Sequence, residues 1–286
     1  PGIGIARVGN AKDAYYIGPQ VPNPAPLPPQ HYRDETGALK REAALFRIYG
    51  YNAAGEVVAE LTDDTAEITW RAHVANQKSG WYQFHVALDS AEALTTVDAS
   101  QRAPILRNAG VKDRATLIID PGPREISGTS KKGSKYHFDT GKFMGTPVYL
   151  GELQTDDKGR LIFLGGRGLS ASYDSQPAKD FANNEGWHDD TSDGPVEARV
   201  KIDGREVPVD SAWVATAPPN YGPQQKSVRT LYDLMTDVAI QAGMLARPRK
   251  PLFGRDILPV FQRMTDLQWV NAGFAAGFGY GTAKDF

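Results

Sequence analysis

The chain has 286 residues, 41 % of them apolar and 23 % charged, with a net charge of −2; this allows a large core and one big or two ordinary domains. The same balance excludes a disordered chain and leaves no basic field for nucleic acid or an anionic lipid surface. Zero cysteines exclude disulfides, thiolate metal sites and a cysteine nucleophile within these residues. No run of about 18 apolar residues exists, and the opening PGIGIARVGN lacks the charged start and long apolar stretch of a signal peptide. The expectation is a soluble chain with no membrane partner, cytoplasmic or exported without a recognisable signal peptide, its Pro1 in place of Met reflecting trimming or cleavage.

Ile3, Ile5 and Val8 alternate with small or polar neighbours and predict a short strand ending at Gly9-Asn10, followed by a second at Tyr15-Tyr16-Ile17. Six prolines between Pro19 and Pro29 favour an extended polyproline strap over a surface, the other reading being a ligand for a proline-recognition domain. In EITWRAHVAN, Ile68, Trp70, Ala72 and Val74 share one face and Glu67, Thr69, Arg71 and His73 the other, the pattern of a half-buried antiparallel strand. WYQFHVAL repeats it with Tyr82, Phe84, Val86 and Leu88. Further strands are predicted in TLIID, YHF, TPVYLGEL, RLIFLGG, VEARVKI, EVPV and SAWVATA. Turn pairs Ala54-Gly55, Lys158-Gly159 and Asp203-Gly204 punctuate them, the last within KIDGREVPV, a hairpin signal.

After Ala217 the pattern changes. Pro218-Pro219-Asn220-Tyr221-Gly222-Pro223 breaks regular structure, and SVRTLYDLMTDVAIQAGML then places Val228, Leu231, Met235, Val238 and Ala242 at helical spacing. A second helix is predicted from Asp256 as N-cap to about Val270, and NAGFAAGFGYGTAKDF ends the chain with exposed aromatics that need covering. The fold class is therefore α+β and β-dominated: antiparallel sheets in a scaffold domain over 1–217, then a helical segment over 218–286.

Few motifs carry chemistry. GIGIARVG fails the dinucleotide fingerprint because Arg7 stands where the third glycine belongs and no helix follows. LGGRGLS (164–170) has backbone that could cradle an anion but no following Walker lysine, so a tight β-turn is favoured. Asp139-Thr140-Gly141 matches the aspartic-protease triplet without the second copy that chemistry needs. His31, His73, His85, His137 and His188 form no metal-binding pair in sequence, and satisfied polar or interface roles are favoured. The densest polar stretch, His188-Asp189-Asp190-Thr191-Ser192-Asp193, offers oxygen ligands for Ca²⁺ but lacks the calcium-loop spacing and its distant glutamate; a hydrogen-bonded turn ahead of VEARVKI is the other reading. On the residues alone, a non-catalytic β-sandwich interaction module, Ca²⁺-dependent through these aspartates, stays open.

The segments IGIARVGN (3–10), YYIGP (15–19), ALKREAALFRIYGYNAAGEVV (38–58), ITWRAHVANQKSGWY (68–82), DPGPREISG (120–128), LGELQTDDKGRLIFLGGRG (150–168), FANNEGWHDDTSDGPVEA (181–198) and AWVATAPPNYGP (212–223) resemble, in order, the N-terminal half of the lysine ε-oxidase and glycine oxidase family. That resemblance implies an amino-acid oxidase whose cofactor, cysteine tryptophylquinone, forms from a Cys and a Trp of the protein. It also implies the reaction: a substrate amine forms a Schiff base with the quinone, a carboxylate removes a carbon-bound proton, and O₂ reoxidises the cofactor, yielding H₂O₂ and ammonia. Without cysteine, none of the chain's five tryptophans can form that cofactor here. The quinone and the catalytic residues are therefore expected on a separate chain or in a missing C-terminal part. The implied partners are that quinone-bearing chain, an amino-acid substrate with O₂, and a flavoprotein maturation factor, in an oligomeric assembly. The APPNYGP loop corresponds to one that brings an aromatic ring toward the substrate, which makes Tyr221 the substrate-binding residue of this chain and leans toward a lysine-sized amino acid; packing of Tyr221 onto the following helix is the competing role.

Overall fold

The computed structural model describes residues 2–21, 27–83, 106–180, 182–222 and 225–284, which fall into two compact units, Pro1–Pro219 and Asn220–Phe286. The first contains β1 (Ile3–Arg7), β2 (Tyr15–Ile17), the short helix α1 (Pro29–Tyr32), β3 (Arg41–Phe46), β4 (Ile48–Tyr51), β5 (Val57–Leu61), β6 (Glu67–Ala72), β7 (Arg124–Ser127), β8 (Lys142–Phe143), β9 (Thr146–Pro147), β10 (Gly151–Thr155), β11 (Leu161–Gly165), β12 (Ser170–Ser172), β13 (Trp187–Asp189), β14 (Asp193–Ile202), β15 (Arg205–Val207) and β16 (Ala212–Ala217). Its main sheet runs β10-β11-β3-β1-β16-β14-β6-β7, with β15 added beside β14 and β2 beside β3.

That sheet curls into a nearly closed barrel because its two ends are laced together. Thr155, at the end of β10, donates from its backbone N–H to Lys131 O (2.9 Å) and from its hydroxyl to Gly128 O just past β7 (2.6 Å). Closure of this kind leaves few free strand edges. Antiparallel pairing dominates, as the alternating patterns predict, but β1 lies parallel to β16 and β2 parallel to β3. Both parallel pairs have long connections, most of the unit between β1 and β16 and the stretch with α1 between β2 and β3, whereas a tight hairpin can join only antiparallel neighbours.

The interior is filled as the period-two pattern requires: Ile68, Trp70, Ala72 and Val74 are all buried, with Phe46, Phe138, Phe163, Leu153, Leu161 and Val214. Each such side chain removed from water stabilises the fold by about 1.5–3 kcal/mol before entropy is counted. Trp70 satisfies its indole by donating Nε1–H to Gly159 O (2.8 Å). The opening strand orients less simply. Ile3 and Ile5 point outward, while Ala6 and Val8 are buried, because the Phe46 ring packs against Gly4 where any side chain would collide. In β3 and β11 both faces are covered, since Ala43, Ile162 and Leu164 pack under Tyr15 and Ile17 of β2 and form a second small core.

The Asp203-Gly204 hairpin joins β14 to β15 in register, Ile202 opposite Arg205, both turn residues having positive φ (50° and 77°). Two predicted strands take other forms. TLIID becomes a 3₁₀ turn over Arg114–Leu117 capped by Asp113, with Ile119 making a lone bridge to Asn76. YHF is a turn whose His137 bridges Glu152. Residues 22–26 of the proline strap and 84–88 of WYQFHVAL lie outside the described residues.

The second unit holds α2 (Leu231–Gln241), α3 (Leu258–Asp266) and α4 (Ala272–Phe278). Thr230 caps α2 in a reciprocal box with Asp233, so Val228 falls before the helix, and Ala242 is its C-cap. Asp256 is not the N-cap of α3. It accepts from Leu252 N–H (2.7 Å) and pairs with Arg255 within a wider turn over Phe253–Ile257, and Pro259 stands in the first turn of α3. The glycine-rich ending forms α4, capped by Asn271. Among the described residues no helix is long and apolar enough to cross a membrane.

Candidate functional site

The polar stretch 188–193 forms a knot in which each carboxylate faces a different partner. Asp189 Oδ1 accepts from Thr191 N–H (3.0 Å) and Thr191 Oγ1 (2.8 Å), closing an Asx turn, and from Asn76 Nδ2 (3.0 Å), while Lys78 pairs with its Oδ2. Burial works to raise the Asp189 carboxyl, but the Lys78 charge and hydrogen bond, with those from Thr191, outweigh it and hold the group below its ordinary value. Asp190 is buried, and burial pushes its carboxyl up although backbone N–H groups of Leu169 and Arg167 donate to it, Arg167 N at 2.6 Å. The Gly-rich loop 164–170 thus wraps a carboxyl group, that of the protein's own Asp190. Gly166 is required there, since a Cβ would lie 2.5 Å from the Asp190 carboxyl.

His188 packs its ring on Phe143 (centroids 4.9 Å apart), and burial lowers its pKa. Asp193 turns toward the outer face of the barrel and accepts from Trp213 Nε1–H (3.0 Å). Among the described residues no three His, Asp or Glu side chains are grouped to hold a metal ion.

Beside Asp193 a cleft of about 370 Å³ is lined by His73, Gln77, Asp120, Asp193, Pro195 and Trp213. His73 Nε2 and Asp120 Oδ1 lie 2.7 Å apart, and Gly122 N–H donates to the same oxygen (2.8 Å). Burial would raise the Asp120 carboxyl, yet the hydrogen bonds from His73 and Gly122 hold it low. This pair can hold or pass a proton, but the lining offers no hydroxyl or thiol nucleophile for covalent chemistry.

A larger polar network escapes sequence reading. Arg41, fully buried, donates Nη2–H to Glu152 Oε1 (3.0 Å) and Nη1–H to Gly165 O and Tyr149 Oη (both 3.3 Å). His137 Nε2 meets the other Glu152 oxygen at 2.8 Å, and the Arg167 guanidinium sits 5.4 Å from the Tyr149 ring centroid. Burial, countered by the nearby Arg41 charge, pushes the Tyr149 phenol up to about 12, and Arg41 overrides burial to keep the Glu152 carboxyl low. Arg41 and Glu152 are 111 residues apart in sequence, and only adjacent charges inside an otherwise apolar strand, Arg41-Glu42, hinted at it.

Of the remaining residues singled out by sequence, His31 joins Tyr16 and Tyr32 in a cluster of three rings, tilted against the first and edge-on to the second. Thr140 of the Asp-Thr-Gly triplet ties Arg124 to Pro121 O (3.0 Å each) and so braces a turn. His85 lies outside the described residues. Tyr221 is 75 % exposed. It follows Pro218-Pro219, directly after β16.

A family model described as L-Lysine epsilon oxidase N-terminal matches residues 1–216. L-lysine 6-oxidase of Marinomonas mediterranea is 29 % identical over an alignment that takes in 97 % of this chain and 43 % of the relative, so the chain spans less than half the relative's length. The crystal structure of the Schiff base intermediate of L-Lys ε-oxidase from the same organism, with L-Lys, superposes with a TM-score of 0.70 at 27 % identity, covering 99 % of this chain and 48 % of that one. A second structure of the M. mediterranea ε-lysine oxidase gives 0.68 at 27 % identity over 94 % and 44 %. The chain belongs to the L-lysine ε-oxidase N-terminal family.

Proposed function

We propose that these residues form the scaffold portion of a quinoprotein amino-acid oxidase, which oxidatively deaminates an amino acid with O₂ and releases H₂O₂ and ammonia. The observation that carries this reading is the collinear match of nearly the whole chain, in sequence and in fold, to an L-lysine oxidase more than twice as long. Cysteine tryptophylquinone does not fit the residues present. It needs a cysteine, and the chain has none; Trp70, Trp187 and Trp213 are moreover each held by an indole N–H hydrogen bond. In this reading the quinone, the proton-abstracting base and the reacting atoms belong to polypeptide outside these residues, on a separate chain or in a C-terminal part. A flavoprotein matures the cofactor, and the whole assembles as an oligomer.

What this chain supplies is position. The barrel gives a rigid frame, and the helical segment 218–286 packs its apolar side chains on the quinone-bearing part. Tyr221 presents a phenol to the substrate from a proline-stiffened loop, an aromatic body with a hydrogen-bonding tip suited to a lysine-sized amino acid. The calcium-dependent module has no comparable support, since Asp189, Asp190 and Asp193 each face a different donor. The test is H₂O₂ release by the whole enzyme against a panel of amino acids. Turnover of lysine or a similar amino acid supports the reading, and absence of H₂O₂ with every amino acid overturns it.

A further inference from the structure

The Pro218 carbonyl, the first acceptor beyond β16, is held by Arg7, whose Nη1–H donates to it at 3.2 Å. Arg7 is the last residue of β1 and lies opposite Ala217 in the parallel β1–β16 pair, where Val8 N–H also donates to Ala217 O (3.2 Å). Its own position is fixed from behind. Arg7 Nε lies 3.5 Å from Glu42 Oε2, and Tyr16 Oη donates to that same oxygen (2.9 Å). Arg7 and Glu42 are also register partners across the β1–β3 pair.

The chain leaving this anchor is stiff. Pro218 and Pro219 each fix φ near −65°, and Ala217 and Pro218, as residues before proline, are confined to extended conformations. Tyr221 follows two residues later, so loosening the Pro218 carbonyl releases the base of the segment that carries the phenol. The two stretches joined, IGIARVGN and the AWVATAPPNYGP loop, are far apart in sequence and adjacent only in the sheet.

We propose that Arg7 is a positioning residue for Tyr221, acting through the Pro218 carbonyl and braced by Glu42 and Tyr16; its value for substrate rests on the functional reading above. The experiment has two arms. In the first, chymotrypsin cleavage after Tyr221 is timed for the wild type, Arg7→Met and Arg7→Lys. The methionine removes the donor, and the lysine keeps a charge beside Glu42 but replaces the planar fork with a point donor. Faster cleavage in Arg7→Met at unchanged melting temperature, with Arg7→Lys intermediate, is expected; equal rates in all three overturn the anchor. Should Arg7→Met fail to fold, Arg7→Lys against the wild type carries the comparison, with the same two outcomes.

In the second arm the whole enzyme is assayed with its amino-acid substrate. Arg7→Met should raise KM about three- to tenfold, the effect of losing one hydrogen bond, with little change in kcat, and should raise it no further when Tyr221 is already alanine. Additive effects of the two substitutions, or a fall in kcat alone, overturn the positioning role. A wild-type enzyme that oxidises no amino acid would overturn the functional reading instead, and the cleavage arm still decides the anchor.

Discussion

The two units solve the burial problem in opposite ways. The barrel of residues 1–219 nearly closes on itself around Phe138, Phe143, Phe163, Leu153 and Leu161, each without solvent exposure, and pairs its buried Arg41 with Glu152 inside the same unit. In the helical unit, α2, α3 and α4 contain no buried residue at all. Its order comes from caps and from Arg263, which donates to Asp233 (2.8 Å) and Thr230 (3.3 Å), while Leu231, Tyr232, Met235, Val238, Phe253 and Trp269 stay exposed. The contrast teaches that apolar burial orders the barrel, whereas the helices of the second unit rest on caps and an ion pair with their apolar side chains exposed.

The largest effect should appear inside the barrel. Phe163→Ala leaves a cavity among fully buried neighbours and should cost about 3–5 kcal/mol in denaturant unfolding, whereas Met235→Ala on α2 should cost under about 0.5 kcal/mol on this chain alone. Equal losses would break the comparison. Arg41→Met comes next. It removes the guanidinium that balances the Glu152 carboxylate, leaving only His137 and Gln154 beside it, and should destabilise the barrel by about 3 kcal/mol, more than Arg71→Met, whose partner Glu197 is half exposed.

In the helical unit Thr230→Ala removes the hydroxyl half of the capping box, leaving the Thr230 backbone N–H on Asp233, and should cost about 1 kcal/mol, read as faster amide exchange in α2 with the barrel amides unchanged. Tyr221→Ala should raise KM of the whole enzyme without lowering the melting temperature of the barrel; unchanged kinetics would remove Tyr221 from the substrate site.

The subtlest test uses two neighbours of opposite sign. The Asp189 carboxyl is held below its ordinary value near 3.8, so its contribution to stability is present above that value and is lost as pH falls through the folded one. Asp190 is raised above the same ordinary value, so its contribution is complete below that value and is lost as pH rises through the folded one. Unfolding midpoints followed from about pH 2 to pH 7 should show a shallower acid-side loss for Asp189→Asn and the removal of a loss in the rising direction for Asp190→Asn. The same slope change in both variants would contradict the assignment.

How much of this was legible in the sequence depended on how local the signal was. The alternation around Trp70, the Asp203-Gly204 turn and the helical spacing from Leu231 are set by neighbours a few residues apart, and the structure follows them. TLIID and YHF misled because each is too short for its side-chain pattern to outweigh the single bridges available to Ile119 and His137. Asp256 failed as a cap because Arg255 and Leu252 N–H claim its carboxylate. The polar knot at Asp189 and Asp190 was visible as a cluster, but the loop that wraps Asp190 and the lysine that pairs with Asp189 come from segments far away in sequence. Arg41–Glu152 and Arg7–Pro218 depend wholly on which strands meet, and no local pattern encodes that.

The claim that these residues frame an oxidase whose quinone lies elsewhere is tested most directly by quinone-sensitive staining of the purified active enzyme, followed by mass mapping of the stained peptides. The account predicts a stained peptide outside residues 1–286 and none within them. A stained peptide inside residues 1–286, or an amino-acid-oxidising enzyme with no stained peptide at all, would contradict it.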